Sequence, residues 1–276
     1  MKILSDSLAI AEKELKLNLR YKWGFFISNF LNPLVRAVPF LLVYYGVFAA
    51  AGSSFSVGEV TDATFVVFLL LGILVDVFLH SGLTAFSDKF MREKFWETIN
   101  AFLVAPTHKL ALVLGFGISE SIAILPTLLF FLLVVFLWHP VSPVVMLFTL
   151  VVLVGAFMIA LGVGLLFGSA ALFNENFIPI FGYMRIIWVF FSCFYYSIEV
   201  LKFSVAGFII DLRLLAELNP IYQAVAIIRS VWFYGFDSVL NMLPQFVYFA
   251  AFVIVVPLVS VFIFRKLFRY FDIEGY

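Results

Sequence analysis

The sequence predicts an all-α, polytopic membrane protein with six membrane-crossing helices. Two observations carry this. Hydrophobic residues make up 64% of the 276 residues, charged residues 12%, and mean hydropathy is +1.14. A soluble chain is nearer half apolar and a quarter charged, and a soluble fold of this length has no interior large enough for so much apolar surface. The second is six apolar stretches, each long enough to cross roughly 30 Å of hydrocarbon, which takes about 20 residues.

Residues 1–22 are expected to form a cytoplasmic amphipathic helix in the membrane interface. Ile3, Leu4, Leu8, Ala11, Leu15 and Leu19 recur at helical spacing, and Asp6, Glu12, Lys13, Lys16 and Arg20 cover the opposite face. A soluble packing helix is the alternative. No short apolar core leads to a small-residue cleavage site, so the first span is expected to be permanent.

Residues 23–276 are expected to form a single six-span membrane domain. Its spans run approximately Trp23–Ala51, Thr64–Phe86, Leu110–Trp138, Val144–Phe173, Phe177–Ile198 and Met242–Phe264. Between the last two, at about 200–241, the apolar pieces Phe203–Ile210 and Ile221–Phe236 are too short to cross, and a re-entrant helix pair is predicted. A residue before proline avoids the α region, so Asn219–Pro220 is a predicted helix break. Ala156, Ala160, Gly164 and Gly168 form a small-residue stripe on the fourth span. Close packing within the chain is its expected use, ahead of a subunit interface.

Orientation follows from basic residues. With the N-terminus inside, twelve Lys and Arg fall on the inner side and three (Lys202, Arg213, Arg229) on the outer, while Arg36 and Arg185 lie within spans. The positive-inside rule then places both termini in the cytoplasm of an inner-membrane protein.

Composition also excludes. Lys+Arg and Asp+Glu balance at 17 each, so nucleic-acid binding has no electrostatic basis. His80, His108 and His139 have no metal-ligand spacing, and the lone Cys193 forms no intrachain disulfide. There is neither a phosphate-binding loop of the Walker type nor a G-x-S-x-G elbow, so no catalysis is assigned to this chain. The intramembrane polar candidates are Arg36, Asp76, His80, Arg185 and Glu199, with Glu175 at a span edge. Asp76 and His80 are four apart and share a helix face, either as a functional pair or as a hydrogen-bonded structural one. Arg36 and Arg185 have three readings: meeting an anionic head group, snorkelling, or pairing with a carboxylate.

Residues 89–107 read as a short amphipathic helix joining spans two and three. Charges crowd its start, Phe95, Ile99 and Phe102 follow at helical spacing, and Pro106 ends it. Its apolar stripe suits lipid or a partner's groove.

Glu93-Lys-Phe-Trp-Glu97-Thr98, Ala101-Phe-Leu-Val-Ala-Pro106, Leu114-Gly115 and Ser119-Glu120 resemble the cytoplasmic loop of type-2 permeases of ATP-binding-cassette (ABC) exporters. The chain departs from that pattern at Trp96-Glu97, where many members carry glycine. Glu217-Leu-Asn219-Pro220-Ile-Tyr222, running on to Arg229 and Gly235, is similar to the Asn-Pro segment before that family's last span. The six-span plan, the N-terminal helix and the re-entrant pair agree, so the resemblance covers nearly the whole chain and lies nearer the drug and lipo-oligosaccharide branch.

The resemblance implies a permease subunit of an ATP-driven exporter, moving an amphipathic, lipid-linked or drug-like substrate. It implies a second permease subunit, identical or sister, and two ATP-binding subunits that supply ATP and magnesium; this chain itself would hold no cofactor. Coupling to the ATPase would fall on Glu93, Phe95, Glu97, Thr98, Ile99, Phe102 and Pro106, and the outer gate on Asn219, Pro220 and Tyr222. The 37 Phe residues suit either apolar pathway walls or lipid. Two other readings stay open: a proton-driven carrier using Asp76, His80 and Glu199, and a membrane-embedded enzyme acting on lipids with Asp76 and His80 as acid and base.

Overall fold

The structure, a computed structural model, describes residues 2–49, 56–57, 60–61, 64–98, 108–174, 176–205 and 208–273. Five helical stretches are long and apolar enough to cross a membrane: Lys22–Gly46, Phe65–Phe95, Lys109–Trp138, Pro143–Leu172 and Leu243–Leu267. They correspond to five of the six predicted spans.

The N-terminal helix α1 (Lys2–Arg20) lies against α5 (Lys109–Trp138). Its buried residues are Ser7, Ala11 and Glu14, while Leu4, Leu8 and Leu19 stay exposed. The protein-facing side is therefore the small and acidic one, and the leucine stripe is left for lipid. Gly115 makes the contact close: a Cβ there would lie 2.7 Å from the Ile10 side chain.

The first span is assembled from short pieces: α2 (Lys22–Phe26), a π-helical turn Ile27–Leu31, α3 (Asn32–Val43) and a second π-helical segment, Tyr44–Ala49. It packs on little of the rest. Its anchors are stacked rings, Phe40 on Tyr195 at 4.5 Å and Tyr44 on Phe65 at 3.9 Å, and the Arg36–Asp76 ion pair at 3.1 Å.

Helix α4 (Phe65–Phe95) is the centre of the molecule, buried against α5, α6 (Pro143–Phe173) and α9 (Pro220–Tyr234). The predicted small-residue stripe of α6 meets α4 within the chain, as expected. A Cβ at Gly82 would lie 2.5 Å from the Ala160 Cβ, and one at Gly168 would lie 2.9 Å from the Phe86 carbonyl carbon. Removing side chains at this crossing lets the two backbones approach. The last helix, α11 (Leu243–Ile273), packs on α6 and α9, with Val247, Ile254, Leu258 and Phe262 exposed.

Four expectations are corrected. First, the stretch Phe177–Ile198 yields only a 15-residue helix, α7 (Phe177–Phe191). At 1.5 Å per residue it is about 22 Å long, short of the hydrocarbon thickness. It stops because Cys193 takes a left-handed φ of 51° and the chain turns. Second, Phe203–Ile210 is not half of a helix pair. It is an antiparallel hairpin, β3 (Lys202–Val205) on β4 (Phe208–Asp211), with Phe203 opposite Ile210 and Ser204 opposite Ile209. Aromatic and β-branched residues favour that form. A second small hairpin pairs β1 (Ser56–Val57) with β2 (Val60–Thr61), and among the described residues these two hairpins hold all the strands. Third, Arg229, counted among the outer-side cations, is not at the water-facing surface: it is 4% exposed on α9. Fourth, residues 89–95 do not begin a separate coupling helix, because α4 continues unbroken to Phe95. Phe90 is fully buried among Phe86, Phe116 and Phe264, so this part of the helix is tied into the core.

Arg229 explains how the chain turns after α7. It donates to the carbonyls of Cys193 at 3.0 Å, Phe194 at 2.6 Å and Phe68 at 3.2 Å, and its guanidinium stacks over the Phe68 ring. Backbone acceptors buried in an apolar core need partners. Arg229→Met is expected to lower unfolding stability by about 3 kcal/mol, from several orphaned acceptors at about 1–3 kcal/mol each with partial relaxation. A thermal melt of the purified variant checks this.

Candidate polar cleft

Five polar residues of α4 recur at a spacing of four: Asp76, His80, Thr84, Asp88 and Arg92. Successive members of such a row are neighbours on the helix surface, and the row winds slowly round the helix as it goes. Over 16 residues the stripe runs about 24 Å along the helix. From His80 to Arg92 it lines a cleft of about 480 Å³ bounded by α1, the first span and α5, whose lining also includes Asn29, Asn32, Arg36, Ser81, Lys89 and Glu120.

At one end of the stripe Asp76, 1% exposed, accepts from Arg36 at 3.1 Å and from the Tyr195 hydroxyl at 2.6 Å. Arg36 is thus paired with a carboxylate, and Asp76 takes its bonds from Arg36 and Tyr195 rather than from His80. Arg185 on α7 lies within electrostatic range of Asp76, His80 and Asp88.

Midway, buried Lys89 donates to the Phe116 carbonyl at 3.1 Å, Ser119 Oγ at 2.7 Å and Glu120 Oε2 at 3.0 Å. Ser81 Oγ donates to the other Glu120 oxygen at 2.5 Å. Towards the C-terminal end of α4, two ion pairs tie α4 to α1: Arg92 to Glu14, and Lys13 to Glu93 at 2.6 Å. Glu14 and Glu93 have no side-chain exposure, while Lys13 and Arg92 reach them from the solvent side and stay partly exposed.

The residues expected at the coupling element divide. Glu93 faces α1, and Thr98 folds back to donate to it at 2.5 Å. Phe95 (73% exposed), Trp96 and Glu97 are exposed at the tip of α4, with the Arg92 guanidinium over the Trp96 ring at 5.3 Å. Ile99, Phe102 and Pro106 lie outside the described residues, as does Glu175. Glu199 is placed away from the cleft, at the base of the β3–β4 hairpin, where Arg213 bridges it at 3.3 Å and Asp211 at 2.7 Å. The Arg213 hydrogen bonds hold the Asp211 carboxyl down at about 2, so it is ionised throughout the physiological range.

Asn219, 6% exposed, occupies the predicted helix break as the cap of α9. Its Oδ1 accepts from the Trp188 indole at 2.7 Å and from the Ile221 amide at 3.0 Å, and its Nδ2 donates to Ser192 Oγ at 2.9 Å. The Asn-Pro segment thus clamps the end of α7 to the start of α9, with Tyr222 packed on the small cluster of Cys193, Leu201 and Ala216.

The stripe below His80, with Glu120 opposite, was not singled out from sequence. The recurrence of polar residues every fourth position from 76 to 92 was the available signal. Among the described residues no group of three or more His, Cys, Asp or Glu is placed to hold a metal ion. No family model matches the chain, and no curated protein matches it.

Proposed function

We propose that the chain is the membrane-spanning permease subunit of an ATP-driven exporter of the type-2 ABC kind, moving an amphipathic, lipid-linked or drug-like substrate outward. It works with a second permease subunit and two ATP-binding subunits, which bring ATP and magnesium. The observation that carries this reading is the end of α4. A 31-residue helix is about 46 Å long, so it outreaches the hydrocarbon by several turns. The overhang is braced by ion pairs to the buried carboxylates Glu14 and Glu93 and ends in exposed Phe95 and Trp96. A braced strut with an aromatic tip suits a lever that takes a push from a partner on the cytoplasmic face. Glu97 holds a left-handed φ of 57°, which glycine takes without strain, close to where many members of that family carry glycine. The adjoining cleft, walled on one side by a loosely packed span, provides a place for substrate to enter. Six crossings in this reading require α7 to span as a short helix, continued by the turn that Arg229 holds.

Phe95→Ala with Trp96→Ala is expected to abolish or uncouple ATPase association while membrane insertion stays normal. Burying such side chains is worth about 1.5–3 kcal/mol each, and aromatic anchors dominate many interfaces. Copurification with an ATP-binding subunit, followed by ATPase and transport assays, tests it. Transport by the unaltered chain that persists without nucleotide overturns the reading.

The ionisable stripe from Asp76 to Arg92 favours a second reading, a proton-coupled carrier. That carrier needs no ATPase and follows a pH gradient, so the same assays separate the two. Orientation has its own test. A cysteine at exposed Asp237 is expected to react with an impermeant maleimide from outside, and one at Lys94 only after permeabilisation. The background thiol, Cys193, is buried.

A further inference from the structure

The β3–β4 hairpin is apolar towards its tip and charged at its base. Between Lys202 and Asp211 the chain carries one polar residue, Ser204, and no charge. Lys202 stands opposite Asp211, and Phe203 opposite Ile210 follows one step nearer the tip. At the charged end Arg213 bridges Asp211 and Glu199. The base is fixed to the protein. The Leu212 amide donates to the Leu201 carbonyl at 3.0 Å, and Leu201 is buried with Cys193 and Ala216 where α7 ends. The far end is uncovered: Phe208 is 76% exposed and Ile209 72%.

We propose that this hairpin is a membrane anchor whose tip dips into the phospholipid leaflet beside the end of α7. Three features select lipid as its partner. Successive residues of a strand point to opposite faces, so Phe208 and Ile210 share one face and Ile209 stands on the other. A protein docked on one face leaves the apolar residue of the other in water, whereas a leaflet surrounds both. The length also fits. Three steps separate the Lys202–Asp211 pair from the Val205–Phe208 pair, about 10 Å at roughly 3.3 Å per residue. Apolar elements seated in the membrane interface reach about 5–10 Å deep. With the charged pair at the water boundary, the open strand edges stay among hydrated head groups, where backbone N–H and C=O groups still find partners. Finally, the hairpin is rooted on a helix that needs lipid already: Ile186, Ile187 and Phe190 of α7 are exposed. With the orientation drawn from the basic residues, the leaflet is the outer one. The anchor fixes the depth of the turn after α7 and is independent of the permease reading.

The test reconstitutes the full chain in phosphatidylcholine nanodiscs with a nitroxide on Phe208→Cys, Ile209→Cys or Glu199→Cys in turn. The unaltered chain, whose Cys193 is buried, is the labelling blank. Power-saturation EPR compares collisions with oxygen, which concentrates in lipid, and with a water-soluble nickel chelate. Oxygen is expected to dominate at positions 208 and 209, and nickel at 199. Nickel dominating at either tip position overturns the proposal. Protection of either from both reagents also overturns it, and means that protein, such as a second copy of this chain, covers the tip. The unaltered chain gives a second measurement that stands whether or not a variant folds. A phosphatidylcholine with a photoactivatable diazirine beside its glycerol is expected to leave adducts on residues 203–210, and their absence overturns the anchor. Neither experiment uses nucleotide or an ATP-binding subunit, so failure here leaves the permease reading to its copurification test.

Discussion

Gly72→Ala is expected to leave little folded protein. Gly72 sits on α4 directly beneath the turn that follows α7, and a Cβ there would overlap the Phe194 carbonyl oxygen and lie 2.8 Å from the Arg229 guanidinium. Neither neighbour can yield cheaply. The oxygen belongs to the backbone, and Arg229 is fixed by three carbonyls. Overpacking at a flexible contact costs about 1–3 kcal/mol; against backbone the upper end or beyond is expected. Gly117→Ala and Gly182→Ala are the internal controls, because nothing lies within 4 Å of a Cβ at either position. In a helix they should be neutral or gain about 0.5–1 kcal/mol. Thermal melts followed by size-exclusion fluorescence decide it: Gly72→Ala melting with the controls means α4 does not approach the turn so closely.

Glu120→Gln is the second large effect. The Lys89 side chain is 6% exposed and its ammonium is matched by the Glu120 carboxylate. Removing one partner of a buried pair costs about 3–5 kcal/mol, because the other charge is left uncompensated, whereas replacing both is often nearly neutral. Glutamine keeps an acceptor for Ser81, so the loss is of charge rather than of that hydrogen bond. The double variant Lys89→Met with Glu120→Gln is therefore expected to recover most of the stability lost in the single one. Chemical denaturation of the parent, Lys89→Met, Glu120→Gln and the double variant closes the cycle. A double variant less stable than Glu120→Gln alone means that Lys89 holds α4 to α5 by more than its charge.

The parts of the fold that were legible from sequence are those governed by local periodicity. Span positions follow from apolar length, and the Ala156–Gly168 stripe announces a close helix crossing because four-residue spacing is a property of one helix. Asn219–Pro220 announces its own break. What escaped depends on partners distant in the chain. Nothing near Asp76 in sequence points to Arg36, 40 residues before it, or Tyr195, 119 after it. Arg229 counts as an outer-side cation because a basic residue in a half-length apolar piece has no local signal for burial; its partners are carbonyls, which every residue has. The β3–β4 hairpin was missed because a short apolar run fits a strand and a buried helix equally well. The cleft was half legible, since the stripe is a pattern within α4 while the wall opposite it is not.

The seat of α1 against Gly115 sets an order of events during synthesis. The helix leaves the ribosome before the surface it docks on, which is made roughly a hundred residues later. At about 5–20 residues per second the wait is about 5–20 s. During that interval Glu14 and Lys13 have neither Arg92 nor Glu93 to answer them. The exposed leucines give α1 somewhere to stay, flat on the bilayer, with its acidic and small-residue face open to water. Docking then becomes a late, two-dimensional search along the membrane surface, completed when α5 arrives beside α4.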